Sequence, residues 1–478
     1  MKTTLIALAL LNFIIAKSTA QTGKSSPDEL GIEYPMETNN ANHPCISEEQ
    51  YTIIENRCNE NAKIYCKVDH PQHAAVVTQL NWPLKAAAGF NDCSYYYISA
   101  HVDQDKALSS FKDYNCGTLT YDGHKGTDIA MFPFPFYKMD NNLVEVVAAA
   151  AGTIVDKHDG EFDKNCAGVS STLTANYMVI QHTDGSRTLY LHMKKNSLTV
   201  KTIGQSVAIG EYLAVVGSSG SSSGPHLHFE VWAGSTVSTL VDPFAGSCNS
   251  LNNSSWWAIQ KPYMEPAVIK TSVNTTDIVL PPCPATETTN ESDTYTIPFQ
   301  GPGLPAGYAK FYIYIRDLIS GATATMSILN PNATVFSSWT YNVSGNFRLV
   351  YSGFSKKLPT IPGIYTFQAT YNGITCSHNF EIINLTGVHE TENKLFKISA
   401  YPNPFNSTVT IQWNQDIHNG ELTFYNEMGI PVRNLKNISG KEIILNRENL
   451  TDGFYILRLT SDNHVASIQK LMITNYEP

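Results

Sequence analysis

The stretch Gly224-Pro225-His226-Leu227-His228-Phe229-Glu230-Val231-Trp232 decides how this chain is read. From Leu227 to Val231 the residues suit an extended strand. Side chains two apart in a strand share a face, so His226 and His228 point the same way. A second short stretch, His124-Lys125-Gly126-Thr127-Asp128, has an even separation of four between its imidazole and its carboxylate. If it too is extended, His124 and Asp128 share a face, and the apolar Ile129-Ala130-Met131 that follows supports a strand there. Two imidazoles and a carboxylate form a ligand set that suits zinc. Either pattern alone is common by chance; together in one β-rich region they predict a metal site.

The surroundings of both stretches are strand-like. Short apolar runs at Val144–Val147, Gly152–Val155, Tyr177–Gln181, Thr188–His192 and Tyr212–Val216 alternate with turn signals such as Asp184-Gly185 and Ser219-Gly220. No long pattern of period 3.6 appears. Residues 76–247 therefore read as a mainly antiparallel β domain. The chain has 478 residues, enough for about two to four domains. Residues 271–385 continue the strand rhythm without catalytic residue types, in runs such as Phe311–Ile315, Phe347–Tyr351 and Gly363–Phe367, and predict an immunoglobulin-like β-sandwich. Cys283 and Cys376 fall near its ends, where a disulfide would staple the first and last strands. After a polar linker at 386–396, residues 397–478 form a further small all-β unit. The fold class expected is mainly β throughout.

The N-terminus carries different signals. Met1-Lys2, a twelve-residue run from Leu5 to Ala16 that is apolar but for Asn12, and the small residues Ser18-Thr19-Ala20 read as a signal peptide over 1–20. Residues 21–75 read as a plain N-terminal extension, with a regulatory pro-segment as the alternative, in part helical around Glu48 to Lys67, with Tyr51, Ile53, Ile54, Ile64 and Tyr65 as its apolar positions. The nine cysteines suit an exported, oxidisable chain. None forms C-x-x-C, which argues against a cysteine zinc site. The formal charge is −10, and removing Lys2 and Lys17 with the leader takes it to −12. With no Lys/Arg run to track a phosphate backbone, nucleic acid is excluded as a partner. No later stretch is long and apolar enough to predict a transmembrane segment in the mature chain.

The motifs form an ordered series: His124-x-Gly126-x-Asp128-Ile129-Ala130, then Val147-Ala148-Ala149-Ala150-Ala151-Gly152-Thr153-Ile154-Val155, Tyr190-Leu191-His192-Met193, Ser223-Gly224-Pro225-His226-Leu227-His228-Phe229-Glu230 and Asp242-Pro243. This series resembles the lysostaphin-type, or LytM-like, zinc endopeptidases over residues 80–247. The resemblance implies that His124, Asp128 and His228 ligate zinc, and that His192 and His226 face the metal-bound water without ligating. One segment departs from the family: Met131 to Glu145 is longer than its usual loop, which bears on the substrate groove and not on the metal. The C-terminal motifs Tyr401-Pro402-Asn403-Pro404, Gly453-Phe454-Tyr455 and Lys470-Leu471 resemble the sorting domain of the type IX secretion system. That resemblance implies passage through the periplasm to the cell surface or the medium, with the type IX secretion machinery as partner.

Chemistry follows from the ligand set. Three protein ligands leave a fourth zinc position for water, whose pKa the metal lowers towards about 7. H-E-x-x-H is absent, since His389-Glu390-Thr391-Glu392-Asn393 fails at its last position. Proton handling then falls to His192 and His226, in an order the sequence leaves open. Glu230 is either a partner that fixes an imidazole or a plain structural carboxylate. Tyr190 shares a face with His192 and is a candidate substrate contact. The activity expected is a zinc metalloendopeptidase acting on peptidoglycan cross-links or stem peptides. The alternatives are an exported peptidase for glycine-rich proteins such as elastin, and a non-catalytic wall-binding or amidase-activating module.

Overall fold

The computed structural model describes residues 32–35, 45–66, 78–166, 170, 172–278, 287–384, 398–461 and 464–475. The leader at 1–20, Cys283 and the linker at 386–396 lie outside the described residues. The chain divides into two compact units, residues 1–382 and 383–478. Among the described residues no helix is long and apolar enough to cross a membrane.

The large sheet of the first unit is antiparallel throughout. Its strands run in the order Tyr96–Ala100, Thr127–Met131, His226–Trp232, Arg187–Leu191, Tyr177–Gln181, Gly152–His158 and Ser206–Val207, with Leu240–Val241 beside the His226–Trp232 strand. Its central strands Tyr177–Gln181, Arg187–Leu191 and His226–Trp232 are buried almost throughout, polar residues included, because both faces are covered. One face packs with the smaller sheet of Leu84–Ala86, Val144–Val147 and Tyr212–Val215, burying Ile154, Met178, Tyr190, Leu227 and Phe229. The other face packs under the helix α1, Glu48–Tyr65, which buries Tyr51, Ile54 and Cys58. Those three positions follow the i, i+3, i+7 stripe of a helix that sits on a surface. Ser47 starts α1 with a capping box, its side chain accepting from Gln50 N while Gln50 returns the bond to Ser47 N.

The strands Ile32–Pro35, Phe347–Lys357, Tyr308–Leu318 and Ala267–Asn274 form one sheet of a sandwich; Thr294–Ile297, Ile374–Asn384, Gly363–Tyr371, Thr323–Leu329 and Val335–Asn342 form the other. Phe311, Ile313, Trp339, Phe367 and Phe380 fill the space between them. Ala267–Asn274 is the second of these strands in sequence, and position 271 falls inside it. The expected Cys283–Cys376 staple is not formed: Cys376 is bonded instead to Cys93, 283 residues away, and a second disulfide joins Cys116 to Cys248. Strand ends that are neighbours in sequence order were the wrong guide, because Cys376 lies beside Cys93, three residues before the Tyr96–Ala100 strand.

The long Met131–Glu145 segment explains that proximity. It holds a short helix α2, Pro135–Asp140, and its Phe132 and Phe134 are buried against Ile269, Tyr312 and Tyr314 of the sandwich. Arg348 and Arg316 of the sandwich donate to the backbone oxygens of Ile98 and Tyr96, at 2.7 and 2.9 Å. The insertion is thus a docking element between sheet and sandwich. The second unit is a β sheet of its own, with Thr408–Tyr425 paired to Ile398–Tyr401, Pro431–Asn446 and Gly453–Ser461, around Trp413, Phe424, Leu457 and Leu471.

Candidate metal centre

Antiparallel register places the site. His228 pairs directly with Asp128, and His226 with Ala130, so both histidines emerge on the face that carries the carboxylate. His124 reaches the same point by another route. The strand starts only at Thr127, and His124 sits after the turn at Asp122-Gly123, its N–H donating to Tyr121 O. The parity argument for His124 and Asp128 therefore does not apply, although the two side chains meet. Gly126 lies where a Cβ would stand 2.6 Å from the His228 ring, so only glycine lets this loop pass so close to the imidazole.

Three acceptor atoms converge. His124 Nε2 lies 3.1 Å from His228 Nδ1 and 3.2 Å from Asp128 Oδ1, and His228 Nδ1 lies 2.8 Å from the same carboxylate oxygen. The outer nitrogens fix the tautomers. His124 Nδ1 is 2.7 Å from His101 O, a carbonyl that can only accept, so the proton sits on Nδ1. His228 Nε2 is 2.8 Å from Glu230 Oε1, which likewise takes the N–H. With both rings neutral, two nitrogen lone pairs and a carboxylate face one point. Such a set repels itself unless a proton or a cation sits between, and it fits a divalent metal. Without one the site binds protons: burial pushes His124 down, but the neighbouring Asp128 outweighs this and lifts it to about 9. Burial raises Asp128, and His124 and His226 reverse that, holding it well below the usual carboxylate range.

Two further histidines face the centre. His192 Nδ1 donates to Ser219 O at 2.6 Å and His226 Nδ1 to Gly224 O at 2.7 Å, with ring centroids 4.6 Å apart. The Nε2 atom of each is buried without a hydrogen-bond partner, and His226 Nε2 stands 3.6 Å from Asp128 Oδ1. Burial, reinforced by His226, keeps His192 below its ordinary pKa.

Residues 122–243 match the profile of peptidase family M23. These residues are an M23 peptidase domain. Among curated relatives, this chain is 44% identical to an uncharacterised metalloprotease of Buchnera aphidicola over 62 residues, 13% of this chain and 16% of that one. It is 48% identical to the peptidoglycan DD-endopeptidase ShyB of Vibrio cholerae over 56 residues, 12% of each chain. The matched stretches thus span well under two thirds of these relatives' length. Among solved structures, the catalytic domain of lysostaphin from Staphylococcus simulans is 24% identical, with a TM-score of 0.21 and coverage of 31% of this chain and 89% of that one. Residues 399–474 match a secretion system C-terminal sorting domain, which directs a chain to the cell surface or the extracellular space.

Four features of the M23 domain escaped sequence reading or went differently. Tyr190 is no substrate contact: His192 has φ of 65°, leaves the strand, and breaks the alternation, while Tyr190 is buried with its hydroxyl taking the Ala149 N–H at 2.8 Å. Glu230 is the partner that fixes an imidazole. Tyr51 of α1 donates to Glu230 from outside the domain, and Trp232 Nε1 donates to it at 2.9 Å. Cys45 is the fourth: its Sγ lies with the donor atoms of His124, Asp128 and His228, all within 4.8 Å of one another. No cysteine motif marks it; the signal that was available is Ser47-x-x-Gln50, which starts a helix just after it.

Proposed function

We propose that residues 76–247 form a zinc endopeptidase that hydrolyses peptide bonds in peptidoglycan cross-links or stem peptides, with His124, Asp128 and His228 as ligands and His192 and His226 as catalytic residues. The observation that carries this reading is the convergence of two imidazole lone pairs and one carboxylate beside two imidazoles whose buried Nε2 atoms lack partners. A bound zinc ion supplies Lewis acidity towards the scissile carbonyl and makes water acidic enough to react at neutral pH.

The chain's own groups do the rest. The Ser219 and Gly224 carbonyls hold the Nδ1 protons of His192 and His226, so each ring presents a basic Nε2 lone pair to the centre. One Nε2 takes the proton from attacking water and can return it to the leaving amine; the other, once protonated, donates to the developing oxyanion. Glu230 holds the His228 ring, and His101 O holds the His124 ring. The names of the Vibrio cholerae relatives support peptidoglycan as the substrate class, and the sorting domain supports delivery through the type IX machinery.

The test is a mass-spectrometric digest of peptidoglycan beside elastin, with a chelated control. Muropeptides cut at a cross-link or stem bond, and lost on chelation, are the expected result. Cleavage of elastin alone would replace the substrate class. No cleavage of either by a metal-loaded protein would remove the enzyme reading.

A further inference from the structure

Cys45 stands outside the M23 domain in sequence, 79 residues before His124, yet it is buried at the centre of that domain's site. A buried cysteine is usually a small apolar filler. This one has polar company: two imidazoles, a carboxylate and the Tyr121 hydroxyl 3.0 Å from its sulfur. Filler would not choose a spot where three lone pairs already converge. The Nε2 atoms of His192 and His226, buried without hydrogen-bond partners, lie beside the same donor set, so the surroundings of this thiol are those of a cation site and not of apolar packing.

The thiol is also held in place. Two residues on, the Ser47 capping box begins α1. Helix α1 is pinned to the M23 sheet by polar contacts along its length: Tyr51 donates to Glu230, Val237 N to Glu55 at 2.7 Å, Arg57 pairs with Asp156 at 3.0 Å, and Asn61 donates to Val155 O at 2.8 Å. Tyr51 contacts the very carboxylate that orients His228. The segment that carries the thiol therefore shares a hydrogen-bond network with the ligands.

We propose that Cys45 is a fourth metal ligand, which turns the open three-ligand centre into a closed one and keeps the full chain latent until the thiol is withdrawn; this rests on the metal reading above. Tetrahedral sites with four protein side chains are structural, whereas catalytic ones keep a position free. Ligation needs no redox partner: the thiol gives its proton to solvent and the sulfur donates an electron pair. Withdrawal of the segment reverses both steps and frees one coordination position.

Cobalt(II) replaces zinc in such sites and reports sulfur ligation as a near-ultraviolet charge-transfer band. The full chain loaded with one cobalt should show that band, Cys66→Ala should keep it, and Cys45→Ala should lose it while still holding cobalt. Zinc-loaded Cys45→Ala should hydrolyse a small peptide about tenfold faster or more than the parent, as expected when a state populated a tenth of the time or less becomes the only one. Cobalt bound without the band in the parent, or a band surviving in Cys45→Ala, would overturn the proposal and leave the three-ligand centre standing. No cobalt in either protein would overturn both. As a check that needs no variant, iodoacetamide should alkylate Cys45 faster after chelation than in the zinc-loaded parent; equal labelling counts against ligation.

Discussion

His228 donates its Nε2–H to Glu230 Oε1 at 2.8 Å, and this turns its Nδ1 lone pair onto the point shared with His124 and Asp128. Glu230→Ala should therefore cost metal affinity, by about 10–100-fold, although Glu230 is not a ligand. Competition against a chromogenic chelator measures it. An unchanged affinity would show that ring orientation is fixed by packing alone.

Direct ligands and proton-handling groups should separate cleanly. His228→Ala or Asp128→Ala should remove most of the metal, as each deletes a donor. His192→Ala should retain it and lose on the order of 10²–10⁴-fold in rate. Metal content by elemental analysis, set beside turnover, distinguishes the two. Equal metal loss in the His192 variant would mean that its role had been exchanged with that of a ligand.

Asp242 gives a pH signature to stability. Burial pushes its carboxyl up to about 7, against hydrogen bonds from Phe244 N and Gln104 at 2.9 Å each that favour the anion. The folded state then binds the proton more tightly than the unfolded one, whose value lies near 3.9. Its contribution is full below about pH 4 and is lost as pH rises towards 7. Denaturant titrations should show the parent losing stability relative to Asp242→Asn between pH 4 and pH 7. A pH-independent difference would contradict the raised value.

The sandwich should matter for stability, not for metal binding. Cys376→Ser opens a crosslink spanning 283 residues and should cost about 2–4 kcal/mol. A chain ending at Pro266 should lose more, because Phe132 and Phe134 become exposed, yet should still bind one metal. Melting curves with metal analysis would decide. Failure to bind metal would place part of the centre's support in the sandwich.

Deleting 397–478 in the native host should retain an active peptidase in the periplasm. Its appearance in the medium at parental levels would turn this segment from an address into a binding module.

Most of the site was legible because local rules carry it. The period-2 geometry of Leu227 to Val231 puts His226 and His228 on one face whatever the rest of the chain does. That rule failed at two places for one reason, backbone that leaves the strand: the Asp122-Gly123 turn before His124, and the positive φ of His192. Long-range pairings were illegible. Nothing local to Cys93 or Cys376 says that they meet, and nothing near Cys45 says that it reaches His124; each depends on how packed elements abut. The insertion at Met131–Glu145 was visible as extra length, but its purpose depended on which apolar face lay opposite Phe132 and Phe134.

The strand Ile32–Pro35 pairs with Val350–Gly353 at the border of the sandwich, upstream of Cys45 on the same N-terminal thread. Any cut that frees the thread above Cys45 also uncovers that border. A row of unpaired backbone N–H and C=O groups on the Phe347–Lys357 strand would then be ready to accept another extended chain.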